Sequence, residues 1–319
     1  MKIVFMGTPE FAIPSLKILL ESNHKIVAVV SAPDKERGRG KQISSTPVKN
    51  FALENNLEVL TPISLKDEKF IQRLIELDPD LFIVVAFRIL PKDVYTIPAK
   101  GSFNLHGSLL PKYRGAAPIQ WSIINGETET GVTTFFLEDK VDTGNIIVQE
   151  KIKIDEEDDF GSLHDKMMII GANVVLQTVE LIEKGNVVPS KQNDSIASPA
   201  PKITKEICKI DWDRSDIEIH NLVRGLSPHP GAYFEHNGKT YKVFKTKIIG
   251  DHLPVIRDQF KQEFSTDDSQ SHKAGRILES KKEIFIKTKN SYLQILELQA
   301  EGRKRMTAEE FLRGHSIIV

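Results

Sequence analysis

The sequence predicts an α/β domain with a mainly parallel sheet, followed by a smaller β domain. In the N-terminal part, short continuous apolar runs alternate with helical patterns, which is typical of βαβ units. A stretch rich in Pro, Ser, Asn and Ala follows, and beyond it the pattern changes to short strands with polar connections. We therefore expect a Rossmann-like domain over residues 1–189, a linker over 190–207 and an OB-like barrel over 208–319.

The start of the chain predicts a buried strand followed at once by a helix. Ile3–Met6 is a continuous apolar run that Gly7 closes, as expected for a strand of a parallel sheet. Thr8 is a suitable N-cap and Pro9 a suitable first helical residue. Pro14 should then bend or interrupt that helix, because proline removes a backbone hydrogen bond.

The rest of the first domain alternates in the same way. Further strands are predicted at Lys25–Val30, Leu57–Leu60, Leu81–Ala86 and Gly131–Leu137, and helices at Pro47–Glu54, Asp67–Leu77 and Phe160–Lys184. The turn after the first strand keeps only the first glycine, Gly7, of the dinucleotide-binding fingerprint. Nicotinamide or flavin binding is therefore disfavoured, although the sheet is expected to be Rossmann-like.

The second domain has the pattern of a small barrel with flanking helices. Helices are predicted at Ile217–Leu226 and Thr307–Arg313, and strands at Gly231–Glu235, Thr240–Ile249, Lys273–Glu279, Glu283–Thr288 and Tyr292–Leu298. The run His252–His272 is polar and charged, so we expect a flexible loop there.

Composition limits the class of protein. The 319 residues are 40% hydrophobic and 27% charged, with a net charge of -1, which disfavours a generic nucleic-acid coat protein. Cys208 is the single cysteine, so neither an intramolecular disulfide nor a Cys-rich metal site is possible. No apolar run approaches the roughly 18 residues of a membrane span, and the N-terminus does not resemble a signal peptide. We expect a cytoplasmic protein that needs no metal.

A continuous motif in the middle of the chain, from His106 to Pro118, carries most of the functional information. In Phe103-Asn104-Leu105-His106, polar and apolar residues alternate, so Asn104 and His106 should share one face of a strand. Open α/β sheets bind their ligands at the carboxyl ends of strands, which is where this pair would lie. A lone histidine there would more often be structural, but the amide partner, the following Gly107 and Arg114 favour a site.

This run resembles the signature of the folate-dependent formyltransferases. In that family, Asn-x-His-x-Ser-Leu-Leu-Pro is completed downstream by Asp-x-Gly, which matches Asp142-Thr143-Gly144 here. The resemblance extends over essentially the whole chain. It implies transfer of the formyl group of 10-formyltetrahydrofolate to an amine, with Asn104, His106 and Asp142 as the catalytic residues.

The chemistry of these three side chains suits that reaction. Attack of an amine on a formyl carbon creates negative charge on oxygen, which Asn104 and a protonated His106 could stabilise as hydrogen-bond donors. Asp142 beside His106 would favour the imidazolium form and help to relay the proton. The acceptor supplies its own nucleophile, so neither a nucleophilic side chain nor a metal is required.

The resemblance also implies which residues bind the folate. Ser108, Leu109, Leu110 and Pro111 match the segment that lies along it, and Phe87, Arg88, Ile89 and Leu90 match the loop that holds the pterin through backbone groups. The commoner form of that loop is Ala-Tyr-Gly-x-Ile-Leu-Pro. This sequence is one residue shorter and lacks the glycine, which leaves the path of the loop open.

A long cationic segment at 33–47 points to the acceptor. It would be a solvated mobile loop if considered alone, but it contains Arg37, Arg39 and Lys41 beside two glycines, a composition that can contact RNA phosphates or unstacked bases. Within the family, it matches the insertion that the tRNA-specific branch uses against the acceptor stem. The resemblance thus implies an initiator methionyl-tRNA acceptor, formylated for translation initiation, and a monomeric enzyme that does not bind membranes.

The sequence leaves three other functions open. The same chemistry could act on an amino-sugar nucleotide, or hydrolyse formyl-folate, because those relatives share Asn104, His106 and Asp142. The segment at 33–47 argues against both, since a small acceptor does not require it. A non-catalytic RNA-binding protein with an OB-like domain would leave the three polar residues unexplained, and the barrel shows no evident aromatic stacking platform.

Overall fold

The computed structural model describes residues 1–37, 42–249, 260 and 273–318. The chain divides into a sheet unit, formed by Met1–Pro118, Glu129–Lys153 and His164–Pro201, and a C-terminal unit that begins at Lys202. The C-terminal unit also contains Ile119–Thr128 and Ile154–Leu163. The sheet unit therefore extends through most of the stretch that composition predicts to be a linker, while the C-terminal unit takes in two earlier segments.

Eleven strands and six helices precede residue 202. The strands are β1 (Lys2–Gly7), β2 (Lys25–Val30), β3 (Lys35–Arg37), β4 (Gln42–Ser44), β5 (Val59–Leu60), β6 (Leu81–Val85), β7 (Ser102–His106), β8 (Arg114–Gly115), β9 (Glu129–Phe136), β10 (Ile146–Lys153) and β11 (Pro199–Ala200). The helices are α1 (Ile13–Leu20), α2 (Pro47–Glu54), α3 (Glu68–Glu76), α4 (Lys92–Tyr95), α5 (Pro118–Ile124) and α6 (Phe160–Glu183). These counts refer to the described part of the chain.

The main sheet has seven strands in the order β10-β9-β7-β6-β1-β2-β5. The five strands from β7 to β5 are parallel, whereas β9 is antiparallel to both of its neighbours. After β1, the chain adds β2 and β5 on one side of it. The strand order then reverses, and β6 and β7 are added on the other side. Ligands of open α/β sheets bind at the carboxyl ends of the strands beside such a reversal. The predicted mainly parallel sheet is confirmed.

Burial on both faces explains why the central strands are continuously apolar. Ile3, Val4, Phe5 and Met6 of β1 are fully buried, and every residue of β6 is buried. Side chains cap two of the helices that cover the sheet. Thr46 accepts a hydrogen bond from the backbone N–H of Lys49 at the start of α2, and Asp67 accepts one from Phe70 at the start of α3.

The predicted start of the first helix is wrong. Residues Glu10–Ala12 form a 3-10 turn, and α1 begins only at Ile13. Thr8 does not act as the cap, and Pro14 lies in the first turn of α1 instead of its interior. A proline is accommodated there because the first backbone N–H groups of a helix have no intrahelical partner.

Two segments expected to be loose contain paired strands among their described residues. Within the cationic segment at 33–47, β3 and β4 form an antiparallel ladder that pairs Lys35 with Ser44 and Arg37 with Gln42. Between Gly185 and Lys205, Ser190 bridges to Ile146, and β11 pairs in parallel with β8. The first pairing is local, whereas the second segment pairs with Ile146 and β8, which are distant in the sequence.

Beyond Lys202, the described part of the C-terminal unit is a curled antiparallel sheet with two helices. Its strands are β12 (Ala232–His236), β13 (Lys239–Ile248), β14 (Ile277–Glu279), β15 (Ile284–Lys287), β16 (Tyr292–Ala300) and β17 (Met306–Thr307), and its helices are α7 (Asp216–Leu226) and α8 (Ala308–Leu312). The order is β12-β13-β16-β15-β14, with β17 also paired to β16. The fold class is thus confirmed, although β14 is shorter than predicted. Nearly all of His252–His272 lies outside the described residues.

The earlier segments join this unit through specific contacts. The guanidinium of Arg224 on α7 donates hydrogen bonds to the carbonyl oxygens of Glu156 and Asp158, at 3.0 and 2.8 Å. Burial lowers the pKa of Arg224, and nearby carboxylates oppose that shift. Ile124 packs against the apolar core of the unit, facing Gly225. The domain boundaries predicted from composition do not anticipate these contacts.

Candidate active site

Asn104 and His106 lie at the carboxyl end of β7, next to the point where the strand order reverses. Val84 and Val85 of β6 pair with Asn104 and Leu105, so the ends of these two strands are level. Asn104 is partly exposed, and His106 is 6% exposed. Because they are two residues apart on a strand, the amide and the imidazole share one face, as the sequence predicts.

The imidazole of His106 is held in one orientation. Its Nε2 lies 2.8 Å from the carbonyl oxygen of Tyr113. A carbonyl oxygen only accepts hydrogen bonds, so Nε2 carries a proton and donates it. The other ring nitrogen, Nδ1, lies 3.9 Å from Oδ2 of Asp142. Nδ1 is therefore the ring nitrogen that faces the carboxylate and does not bond the Tyr113 carbonyl.

Asp142 reaches His106 from the loop between β9 and β10. Its backbone has a φ of 55°, a conformation that aspartate tolerates better than most residues. Its carboxylate is 12% exposed, and Oδ2 accepts a hydrogen bond from the backbone N–H of Gly115 at 2.9 Å. Asn104, His106 and Asp142 are thus all placed at one end of the sheet, although 36 residues separate His106 from Asp142 in the sequence.

The Ser108–Pro111 segment forms a tightly hydrogen-bonded turn beside these residues. The hydroxyl of Ser108 donates to the carbonyl of Lys112 at 2.6 Å, and that of Thr133 donates to the carbonyl of Ser108 at 2.7 Å. Ser108, Leu110 and Pro111 are buried, while Leu109 is partly exposed. Within this segment, Leu109 therefore has the side chain most accessible to a ligand.

The Phe87–Leu90 segment leaves the sheet directly after β6, and an arginine fixes its path. The guanidinium of Arg88 donates to the carbonyls of Pro62 and Ile63, at 2.8 and 3.0 Å, and lies over the ring of Phe87. Burial lowers the pKa of Arg88. Phe87 and Leu90 pack into the core beneath the sheet, whereas Ile89 is 74% exposed. Arg88 therefore fixes a loop that is one residue shorter than the commoner form.

Sequence reasoning missed four residues that complete the site: Tyr113, Gly115, Gln192 and Ser198. The first two lie within the recognised motif, but the tyrosine acts through its carbonyl and the glycine through its N–H, and residue type predicts neither role. The other two belong to the stretch assigned to the linker. Its polar composition gave no sign that it folds back onto the site.

The candidate RNA-contacting residues are only partly described. The backbone of Arg37 belongs to β3, but Arg39 and Lys41 lie outside the described residues. Among the residues that the structure describes, no group of three or more His, Cys, Asp or Glu side chains could hold a metal ion. No helix within the same ranges is long and apolar enough to cross a bilayer.

Comparison with known proteins agrees with this architecture. Residues 1–179 match the formyl transferase family, and residues 202–316 match the formyl transferase C-terminal domain. The chain belongs to the formyl transferase family. It is 46% identical to the methionyl-tRNA formyltransferase of Flavobacterium johnsoniae, an alignment that covers 98% of this chain and 96% of the relative.

Other relatives extend the comparison. The methionyl-tRNA formyltransferase of Caldanaerobacter subterraneus subsp. tengcongensis is 45% identical, with 99% of this chain and 98% of the relative covered. A sugar 3N-formyl transferase, solved in the presence of dTDP and 5-N-formyl-THF, superposes with a TM-score of 0.66 at 21% identity. That alignment covers 95% of this chain and 99% of the other. At this identity, the likeness concerns the fold alone.

Proposed function

We propose that this protein transfers the formyl group of 10-formyltetrahydrofolate to the free α-amino group of initiator methionyl-tRNA. The observation that carries the proposal is the similarity, over nearly the full length of both chains, to relatives named methionyl-tRNA formyltransferase. The cluster of Asn104, His106 and Asp142 at the end of the sheet supports it. That the enzyme acts as a monomer in the cytoplasm remains a prediction from the sequence.

The residues at the end of the sheet suit formyl transfer. The folate co-substrate supplies an activated formyl carbon, and Ser108–Pro111 and Phe87–Leu90 are the segments proposed to bind it. The amide N–H of Asn104 donates a hydrogen bond to the formyl oxygen as negative charge develops there. This stabilisation acts mainly in the transition state, so it raises the rate of the chemical step.

Proton transfer is assigned to His106 and Asp142. As the new C–N bond forms, the attacking amine must lose a proton, and the folate nitrogen must gain one as the old bond breaks. Nδ1 of His106 can perform both transfers, because Nε2 stays bonded to the carbonyl of Tyr113. The carboxylate of Asp142, 3.9 Å from Nδ1, stabilises the imidazolium formed between them.

The proposed activity can be tested with a labelled formyl donor. The purified protein would be incubated with 10-formyltetrahydrofolate labelled in the formyl group and, separately, charged initiator tRNA, charged elongator tRNA and a dTDP-linked amino sugar. We expect label to appear in the initiator methionyl-tRNA alone. Formylation of the amino sugar in its place, or release of formate independent of any acceptor, would contradict the proposal.

We further propose that Arg37, Arg39 and Lys41 contact the tRNA, with Arg39 contributing most. Arg39→Ala should raise KM for methionyl-tRNA by about 10-fold or more and leave folate affinity nearly unchanged. Arg39→Lys should restore only part of the affinity for methionyl-tRNA, because lysine lacks the planar guanidinium group of arginine. The salt dependence of KM should also become less steep, since each lost phosphate contact reduces counterion release.

Lys17→Ala provides a control for this measurement, because Lys17 is an exposed cation on α1 beside Glu21. Its KM for methionyl-tRNA should stay within about twofold of the unmodified protein. If Arg39→Ala weakened folate binding and left the salt dependence unchanged, the segment would cover the folate and not contact the tRNA.

A further inference from the structure

The segment from Ser190 to Ala200 contains one deeply buried polar side chain. Among residues 183–199, all of which the structure describes, Gln192 is the only buried residue, at 5% exposure. A glutamine has two amide hydrogens and an acceptor oxygen, so its burial is costly unless all of them are bonded. Its hydrogen-bond partners therefore indicate what this segment does.

Gln192 connects the loop of Asp142 to the recognised motif. Its Nε2 donates to the carbonyl of Asp142 at 3.0 Å and to the carbonyl of Gly144 at 2.8 Å. Its Oε1 accepts hydrogen bonds from Nη2 and Nε of Arg114, at 2.6 and 3.1 Å. One side chain thus holds the loop that carries the carboxylate through two carbonyls, and it is itself held by Arg114.

Ser198 makes a comparable connection to His106. Its hydroxyl oxygen accepts a hydrogen bond from the backbone N–H of Tyr113 at 2.9 Å, and its carbonyl accepts one from Arg114 at 2.9 Å. Tyr113 has a φ of 61°, and its carbonyl oxygen accepts a hydrogen bond from Nε2 of His106. Ser198 therefore fixes the residue whose carbonyl orients the imidazole.

We propose that Gln192 and Ser198 are positioning residues for the proton-transfer pair, Gln192 acting through Asp142 and Ser198 through His106. The inference rests on the proposed function. Neither residue needs to contact substrate. Their effect arises because a displacement of about 1 Å in a catalytic group can lower a rate up to about 100-fold, and the pair is separated by 3.9 Å in this structure.

Two substitutions at Gln192 distinguish the role of its amide oxygen, which bonds Arg114, from that of its amide N–H groups, which bond the 142–144 loop. In Gln192→Glu, the carboxylate keeps its acceptor for Arg114 but loses both donors to the 142–144 loop. In Gln192→Leu, the hydrogen bonds to Arg114 and to the 142–144 loop are all lost, while the side chain keeps nearly the same size. If the donors to the loop matter, both variants should lower kcat by about 10- to 100-fold, with KM for each substrate within about twofold.

Asp194→Asn provides a local control. Asp194 accepts a hydrogen bond from Nη2 of Arg114 at 2.7 Å, but its side chain is 73% exposed, in contrast to the buried Gln192. Its kcat should stay within about twofold. Thermal unfolding and circular dichroism of every variant would establish that the proteins compared are folded.

Double-mutant cycles test the route of action. If Gln192 acts through Asp142, adding Gln192→Glu to Asp142→Asn should cause little further loss, so the two effects on kcat would not multiply. Likewise, Ser198→Ala should lower kcat on its own but have little effect in a His106→Ala background. Ser198→Ala also keeps the test informative if both Gln192 variants fail to fold.

The outcomes are distinguishable. Non-multiplying effects with unchanged KM values would support the inference. Independent effects in both cycles, or normal kcat in folded Gln192→Glu and Ser198→Ala proteins, would overturn it while the unmodified protein still formylates methionyl-tRNA. Absence of formyl transfer by the unmodified protein would overturn the proposed function, and this inference with it.

Discussion

His106→Ala is expected to lower kcat for methionyl-tRNA formylation by about 10²- to 10⁴-fold. The substitution removes Nδ1, the ring nitrogen that faces Asp142, and with it the proposed route for the proton of the attacking amine. Within the described part of the chain, the imidazole bonds the backbone at one place, the carbonyl oxygen of Tyr113. KM values should therefore change much less than kcat. Steady-state kinetics with each substrate varied in turn would measure both.

His164→Ala is a matched control for this substitution. His164 also has a carboxylate neighbour, with Nδ1 lying 3.0 Å from Asp165, but it lies on α6 and outside the cluster at the end of β7. Its kcat should stay within about twofold of the unmodified protein. A folded His106→Ala protein with near-normal kcat would refute the role assigned to the imidazole. Asn104→Ala should lose about 10²- to 10³-fold, as expected for loss of one oxyanion donor.

Gly115→Ala is expected to lower both stability and turnover. Gly115 has a φ of 129°, a conformation that L-residues rarely adopt, and an added Cβ would meet the carbonyl of Ala200 on the paired strand β11. Its backbone N–H also holds the carboxylate of Asp142. We expect a loss of roughly 3 kcal/mol in unfolding free energy, from strain and displaced hydrogen bonds. The kcat should fall as well, because Asp142 would move.

Gly185→Ala separates backbone strain from the close contact. Gly185 has a φ of 67°, and nothing lies within 4 Å of an added Cβ. This variant should lose only about 1 kcal/mol and retain its kcat. Denaturant unfolding and steady-state kinetics of the two variants provide the comparison. Equal losses of stability with unchanged kcat in both would show that contact with β11 does not position Asp142.

Several features follow from local sequence and are confirmed. The apolar runs predict β1, β2 and β6, because strands buried on both faces need apolar residues throughout. The predicted helices Pro47–Glu54 and Asp67–Leu77 correspond to α2 and α3, and their caps, Thr46 and Asp67, each bond an N–H only three residues away. Alternation along β7 predicts that Asn104 and His106 share a face.

Features that depend on unpredicted partners were missed. The strand β10 lies at the sheet edge and combines a partly exposed apolar start, Ile146–Val148, with a largely exposed charged end, so its pattern does not alternate, and its pairing with β9 defines it. Pro14 was placed in a helix interior because its residue type does not reveal that a 3-10 turn delays α1. Gln192 is buried, but it is a polar residue like its exposed neighbours, so the sequence does not distinguish it from them.

The sequence by itself determined the fold class, the family and the three polar residues proposed to act on the formyl group, because each depends on a short local pattern or a continuous motif. Tertiary structure alone decided which ring nitrogen of His106 faces Asp142, and that Gln192 and Ser198 hold the two in place. Those contacts join residues up to 85 positions apart through backbone carbonyls and N–H groups. Nearly every residue carries such groups, so the identity of the side chains cannot encode which of them will meet.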